Sequence, residues 1–375
     1  MALTLSEDQL LLRETAQTFL ADNSPVKRMR DLRDENDATG FTRALWKEMA
    51  DLGWVGILLS EEHGGSEMGL AELGVVLLEC GRVLAPEPLL SSVLLGGNAV
   101  RLSGNEALQK DVLPALATGD RLLAMALEES GRFAPYATLT TAKESGGSYT
   151  IDGTKRYVLD GHVADQIVVV ARTSGSAGDR DGLALLLVDA NAAGVSIERT
   201  SMIDGRNAAH VKLEGVEVGA DRLLGNADLL DSVLDQATAA LAAEMLGTTE
   251  EAFERTLAYL KDREQFGVKI GTFQALKHRA GEMFAELEFA RSIMLDALSA
   301  VDEGRDDAPQ AVSAAKAQCS KAARLIGAEA IQMHGGTGMT DEEDIGLFFK
   351  RLKAAEVSLG DATYHQRRFA SLQGY

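Results

Sequence analysis

"YTIDGTKRYVLDGHVADQIVVVART", residues 149–173, breaks the helical rhythm of the chain and decides how the rest is read. It is rich in β-formers, and Asp152-Gly153 within it is a hairpin signal. Short apolar runs continue beyond it: "QIVVVART" (166–173), "GLALLLVDA" (182–190), "GVSIERTSMI" (194–203) and "AAHVKLEGVEV" (208–218). Strands in succession without helices between them predict an antiparallel sheet or barrel. "SGSAGDRDG" (174–182) reads as a solvated loop between two of them.

Outward from this centre the period is helical. Phe41, Leu45, Met49 and Leu52 recur at three- and four-residue steps. "LAELGVVLLECGRVLAPEPLL" (70–90) is apolar all round near 73–79, which predicts a buried helix that Pro86 and Pro88 end or follow. After about 226, Leu230, Leu234, Ala237, Leu241 and Thr248 keep a helical step, as do Phe273, Leu276, Ala280, Phe284, Leu287 and Met294. The alanine-rich run 311–336 is stopped by Gly335-Gly336. The plan is α+β: a helical domain over 1–120, a central antiparallel β domain over 121–225 and a helical domain over 226–375.

Composition narrows the function. The 375 residues carry 46% hydrophobic side chains and a net charge of −20. That allows a large core and argues against bulk attraction to nucleic acid or anionic membrane. Cys80 and Cys319 share no C-x-x-C spacing and read as buried thiols, and the six histidines do not cluster at metal spacing, so no metal site is expected. The N-terminus has Ser6 and Gln9 at capping-box spacing and lacks a basic start before an apolar run. A cytoplasmic protein without membrane insertion is the expectation. No G-x-G-x-x-G follows a strand, and no P-loop, H-E-x-x-H or G-x-S-x-G occurs.

Two segments are more specific: "YLKDREQFGVKIGTFQALKHRAGEMFAELEFARS" (259–292) and "AIQMHGGTGMTDEEDIGLFFKRLKAAE" (330–356). Their R-x-Q-F-G and Q-x-x-G-G-x-G turns closely resemble the C-terminal helical domain of the acyl-CoA dehydrogenase flavoprotein family. "LGWVGILLSEEHGGSEMGLAELGVVLLECGR" resembles its N-terminal domain, and "IDGTKRYVLDGHVADQIVVVART" its central β domain. "GRVLAPEPLL" resembles a bacterial branch that includes subunits for dicarboxylyl- or steroid-CoA. The resemblance implies a C-terminal four-helix bundle, FAD as cofactor, an acyl-CoA substrate, an electron-transfer flavoprotein as acceptor, and a homo- or hetero-oligomer, dimer or tetramer.

A pyrophosphate favours a planar guanidinium fork, and the resemblance assigns that task to Arg263, with Phe266 and Gln274 beside the cofactor. Gln332, Gly335 and Gly336 fall on the second turn, where missing Cβ atoms let a backbone approach closely. Alone, Arg263 would read as a surface charge and the glycines as a helix cap. These elements reach the FAD of a neighbouring subunit in the family. On the flavin side the family's Thr-Glu-Pro turn falls on Leu127-Glu128-Glu129, without the hydroxyl or the proline, and Tyr157 and Val158 are placed near the flavin.

The family reaction removes a Cα proton from the thioester and passes the Cβ hydride to flavin, giving a trans-2-enoyl-CoA. It needs a carboxylate made basic by a dry site. In "AEVSLGDATYHQRR" (355–368) the usual base position falls on Leu359, with Glu356 and Asp361 near it; these acids and His365 read as helix-surface or cofactor-edge groups. The alternative helix-borne position falls on Ala237, flanked by Asp235 and Glu244. Glu244 continues the apolar stripe. It reads either as a catalytic or substrate-contacting carboxyl or as a structural acid paired with a buried Arg or Lys. The candidate functions are a dehydrogenase in its own right, a non-catalytic subunit that completes the FAD site of a base-carrying partner, and a flavin-binding protein without dehydrogenation.

Overall fold

Ser6 opens the first helix, α1 (Glu7–Asn23), with a closed capping box: Gln9 N–H donates to Ser6 Oγ at 3.2 Å and Ser6 N–H to Gln9 Oε1 at 3.0 Å. The computed structural model describes residues 4–375. Helices α2 (Val26–Asp34), α3 (Arg43–Asp51) and α4 (Leu70–Arg82) follow. As its uniform hydrophobicity predicts, α4 is buried from Leu73 to Gly81. Beyond Pro88 the chain forms a wholly buried π-helical stretch, Leu89–Gly97, before α5 (Asn98–Arg101) and α6 (Glu106–Ala117).

The strands are β1 (Leu123–Ala126), β2 (Thr141–Ser145), β3 (Ser148–Leu159), β4 (Gln166–Arg172), β5 (Leu183–Asp189), β6 (Val195–Ser201), β7 (Asn207–Gly219) and β8 (Leu223–Gly225). They form one sheet in the order β6-β7-β3-β2-β4-β5-β8, with β1 beside β4. Pairing is antiparallel except where β4 runs parallel to β1 and β2. Ile151, Val158, Ile167, Val169, Leu186 and Val211 lie in its core.

Asp152-Gly153 is not a hairpin turn. Strand β3 runs through it with a register shift, and the β2–β3 turn is Gly146-Gly147, at φ +61° and +84°. Two positive φ values favour glycine, which Gly146 and Gly147 supply. Gly153 serves another need: a Cβ there would lie 2.3 Å from Thr140 Oγ1. The loop 174–182 is exposed between β4 and β5, as expected, and its backbone is held from one side. Buried Arg172 donates to the carbonyls of Ser174, Asp179 and Asp181, and to those of Tyr136 and Thr138.

Helix α7 (Ala227–Asp262) leads to a small ribbon of β9 (Glu264–Gln265) and β10 (Val268–Lys269). Helices α8 (Gln274–Asp302), α9 (Ala308–His334), α10 (Ile345–Val357) and α11 (Ala362–Leu372) complete the chain. The contacts divide it into two compact units. One holds residues up to Asp31, Leu70–Ala85 and Thr238–Tyr375; the other holds Leu32–Gly69 and Pro86–Ala237 and contains the sheet. In the helical unit α9 packs on α8, α10 and α11, and α4 packs on α1 and α8. No helix among the described residues is long and apolar enough to cross a membrane.

Glycines let α4 and α7 cross closely. A Cβ on Gly247 would lie 1.8 Å from the Leu78 carbonyl oxygen, and one on Gly81 2.2 Å from that of Glu244. Backbone atoms cannot move aside as a flexible side-chain tip can. Gly247→Ala is therefore expected to cost about 3 kcal/mol in urea unfolding, the upper end for overpacking. A loss under about 0.5 kcal/mol, the scatter of neutral surface changes, would contradict so tight a crossing.

Candidate functional site

Two turns of the helical unit meet around one aromatic stack. The ring of Tyr259, near the end of α7, lies 4.4 Å from that of His334, the last residue of α9, and its hydroxyl donates to the His334 carbonyl at 3.3 Å. This joins the Arg263 turn to the Gly335-Gly336 turn. Arg263 is fixed through its backbone: its N–H donates to the Tyr259 carbonyl, and its own carbonyl accepts from Ile270. Its exposed guanidinium has no hydrogen-bonding or ionic partner among the described residues. Phe266 and Gly267 have φ +56° and +78°, the two positive values of a tight hairpin turn. That turn leaves Phe266 92% exposed, with only its edge near Phe273 at 6.2 Å between centroids.

On the other turn Gly335 has φ +62° and ψ −139°, with its N–H on the Gln332 carbonyl. A Cβ on Gly335 or Gly336 would meet nothing within 4 Å. Gln274 and Gln332 are both exposed. An unpaired guanidinium, an uncovered ring and an open glycine backbone are chemically compatible with a flat, pyrophosphate-bearing cofactor such as FAD.

The sheet-bearing unit holds the other positions expected to face a cofactor. Leu127 directly follows β1, and its carbonyl accepts from Lys155 Nζ at 3.1 Å. Lys155 is fully buried and reaches Glu129 Oε1 at 2.7 Å, while Glu129 accepts from the N–H groups of Leu139 and Thr140. Burial pushes the Lys155 ammonium down to about 8, against the pull of Glu129. Glu128, beside this pair, is pushed up to about 7, again chiefly by burial. Tyr157 has φ +53° at the bulge between Lys155 and Val158 and is 46% exposed, its ring edge on His210. Val158 is different: its side chain points into the sheet core, leaving only its backbone to face a ligand.

The positions where the base is expected hold no free carboxylate. Leu359 is buried at φ +56°, and Ala237 is fully buried. Glu356 is paired with Lys353 at 2.6 Å, and Asp361 caps α11 by accepting from Tyr364 N–H at 2.7 Å. Glu244 is buried, with Arg351 Nη1 3.4 Å from its Oε1, and the Arg351 guanidinium also approaches the carbonyls of Leu84 and Ala85. Of the two readings of Glu244, the geometry matches the paired acid. His365 is not a surface group: it is 2% exposed, and its Nε2 donates to the Leu359 carbonyl at 2.8 Å.

Sequence reasoning passed over Lys316, the most enclosed cation beside the Leu359 loop. Its Nζ donates to the carbonyls of Glu356 at 3.0 Å and Gly360 at 2.8 Å. The signal was available, since Val312, Ala315, Lys316, Cys319, Ala323 and Ile326 form one helical stripe, all buried.

Comparison with known proteins identifies the family. The sequence profiles for "Acyl-CoA dehydrogenase" N-terminal, middle and C-terminal domains match residues 6–120, 124–216 and 228–371. "Acyl-CoA dehydrogenase FadE27" of Mycobacterium tuberculosis is 30% identical over 88% of this chain and 87% of its own length. Among solved structures, a variant of the "Tcur3481-Tcur3483 steroid ACAD" superposes with a TM-score of 0.89 at 33% identity, covering 99% of each chain. The ChsE4-ChsE5 complex from Mycobacterium tuberculosis gives 0.91 at 28% identity, covering 100% of this chain and 99% of that one.

Two outcomes test the site's electrostatics. Glu244→Gln leaves the buried Arg351 guanidinium without its counter-charge, and a loss of about 3 kcal/mol is expected in urea unfolding. Glu244→Leu should lose a similar amount, and adding Arg351→Met to it should recover more than half of its loss, because the unpaired charge is then gone. The second concerns pH. Burial, reinforced by the nearby Lys316 charge, pushes His365 from 6.5 down to about 3. The unfolded chain therefore binds this proton first as pH falls. Stability from His365 is complete above pH 6.5 and is lost between there and about 3. His365→Gln should flatten that limb of a stability–pH curve; an unchanged slope would refute the assignment.

Proposed function

The chain belongs to the acyl-CoA dehydrogenase family of FAD-dependent oxidoreductases, and from that premise we propose that it works as the FAD-sharing subunit of a hetero-oligomeric acyl-CoA dehydrogenase whose partner chain carries the base. The observation that carries this reading is the fate of the carboxylates. Leucine stands in the usual base slot, alanine in the alternative one, and Glu244 is engaged by Arg351. A leucine cannot accept a Cα proton. Glu244 is buried and turned toward Arg351, 3.4 Å away, so it is engaged within the fold rather than presented to a substrate.

What remains is a cofactor-completing surface. In this reading Arg263 holds the pyrophosphate of FAD seated on the neighbouring subunit, and Phe266 covers its flank. The Gly335-Gly336 backbone makes the close approach. Bound FAD supplies the two-electron acceptor for the hydride leaving Cβ. The partner's carboxylate takes the Cα proton, and the product is the trans-2-enoyl-CoA. The relatives named for steroids and for a two-component complex support a polycyclic or side-chain steroid thioester as the substrate class. An electron-transfer flavoprotein is the electron acceptor in the same reading.

The absorbance spectrum tests the division of labour. Purified alone, the chain is expected to show no flavin bleaching with an acyl-CoA. Assembled with a related chain that carries glutamate at the base slot, it should hold flavin that bleaches on adding the thioester. Bleaching by this chain alone would overturn the proposal.

A further inference from the structure

The loop between α10 and α11 keeps a costly shape although its side chain does no acid–base chemistry. Leu359 has φ +56°, a left-handed conformation that disfavours a side chain with a Cβ, and Gly360 follows at φ +101°. Three consecutive features hold this shape. Lys316 Nζ, on α9, donates to the carbonyls of Glu356 and Gly360, on either side of residue 359. His365 Nε2, on α11, donates to the carbonyl of Leu359 itself. Asp361 caps α11 directly after the turn. Lys316 and His365 are almost wholly buried, and Lys316 Nζ has Ser320 Oγ as a further contact at 3.4 Å.

A loop needing only an apolar side chain has no use for two buried polar donors. Enclosing an ammonium and an imidazole costs free energy unless each makes its hydrogen bonds. Here three of those bonds, from Lys316 Nζ and His365 Nε2, converge on the main chain of 356–360, while His365 Nδ1 has no hydrogen-bond partner among the described residues. We propose that Lys316 and His365 are positioning residues that preform the slot at residue 359, so that whatever side chain stands there is held in one direction. This rests on the reading that position 359 is the family's base slot. In this chain the slot presents Leu359 as a rigid apolar wall; with a carboxylate in it, the same clamp would aim a base.

The test uses the full chain and hydrogen exchange read by mass spectrometry. Lys316→Met and His365→Phe are expected to speed exchange in peptides covering 357–361 by about ten-fold or more, with the middle of α9 unchanged. His365→Gln keeps a side-chain N–H and should stay near the parent rate. Unaltered loop exchange, or equal acceleration of loop and α9, would overturn the clamp. A second arm introduces Leu359→Glu with and without Lys316→Met and follows deuterium uptake from D2O at Cα of butyryl-CoA. There the carboxylate removes a proton and returns a deuteron. Uptake about ten-fold faster with Lys316 present supports positioning, and equal rates, including none in either, count against it. Uptake by the unsubstituted chain would instead sink the partner-base reading while leaving the exchange result standing.

Discussion

In the helical unit a buried charge pair joins segments far apart in the chain. Arg351 leaves α10 and meets Glu244 of α7, while its guanidinium also approaches the carbonyls of Leu84 and Ala85 just beyond α4. Three segments far apart in sequence are thus tied at a single planar fork, the geometry for which guanidinium is suited. The glycines explain how they come so near. Gly81 and Gly247 remove the Cβ atoms that would hold α4 and α7 apart. The pair need not add net stability over an apolar substitute. It does commit both partners, and the proposed function rests on that commitment.

Periodicity made the order of elements legible. The helix–strand–helix succession, the capping box at Ser6 and the burial of α4 all follow from local pattern, and each is present. What failed was reading one glycine for another. Asp152-Gly153 has the composition of a turn, yet Gly153 is there because Thr140 crowds it, and the turn uses Gly146-Gly147. A sequence window cannot distinguish a glycine that needs positive φ from one that needs space. The loop 174–182 is exposed between β4 and β5 as its composition indicates, while the hydrogen bonds that buried Arg172 gives its carbonyls have no local sequence signal.

The candidate site was legible in its turns and not in its partners. Arg263, Phe266 and Gly335 stand out because their local chemistry is unusual. Glu244 was placed on the buried face by its helical step, but its partner lies 107 residues away. Lys316 shows the same limit. Its place in the stripe predicts burial and its charge predicts exposure, and only the carbonyls of the 356–360 loop resolve the conflict.

Those carbonyls bear on how a catalytic position can be emptied. A base slot has two parts, a side chain that accepts the proton and a backbone that aims it. Changing the first needs one substitution, whereas dismantling the second would strand Lys316 and His365 as buried donors without acceptors. The cost of an unmade buried hydrogen bond, about 1–3 kcal/mol each, falls on the fold rather than on activity. A subunit relieved of proton transfer by its partner can therefore lose the carboxylate freely while its stability keeps the slot. Under the proposed division of labour, Leu359, at positive φ and clamped, is a base slot that keeps its scaffold without its carboxylate.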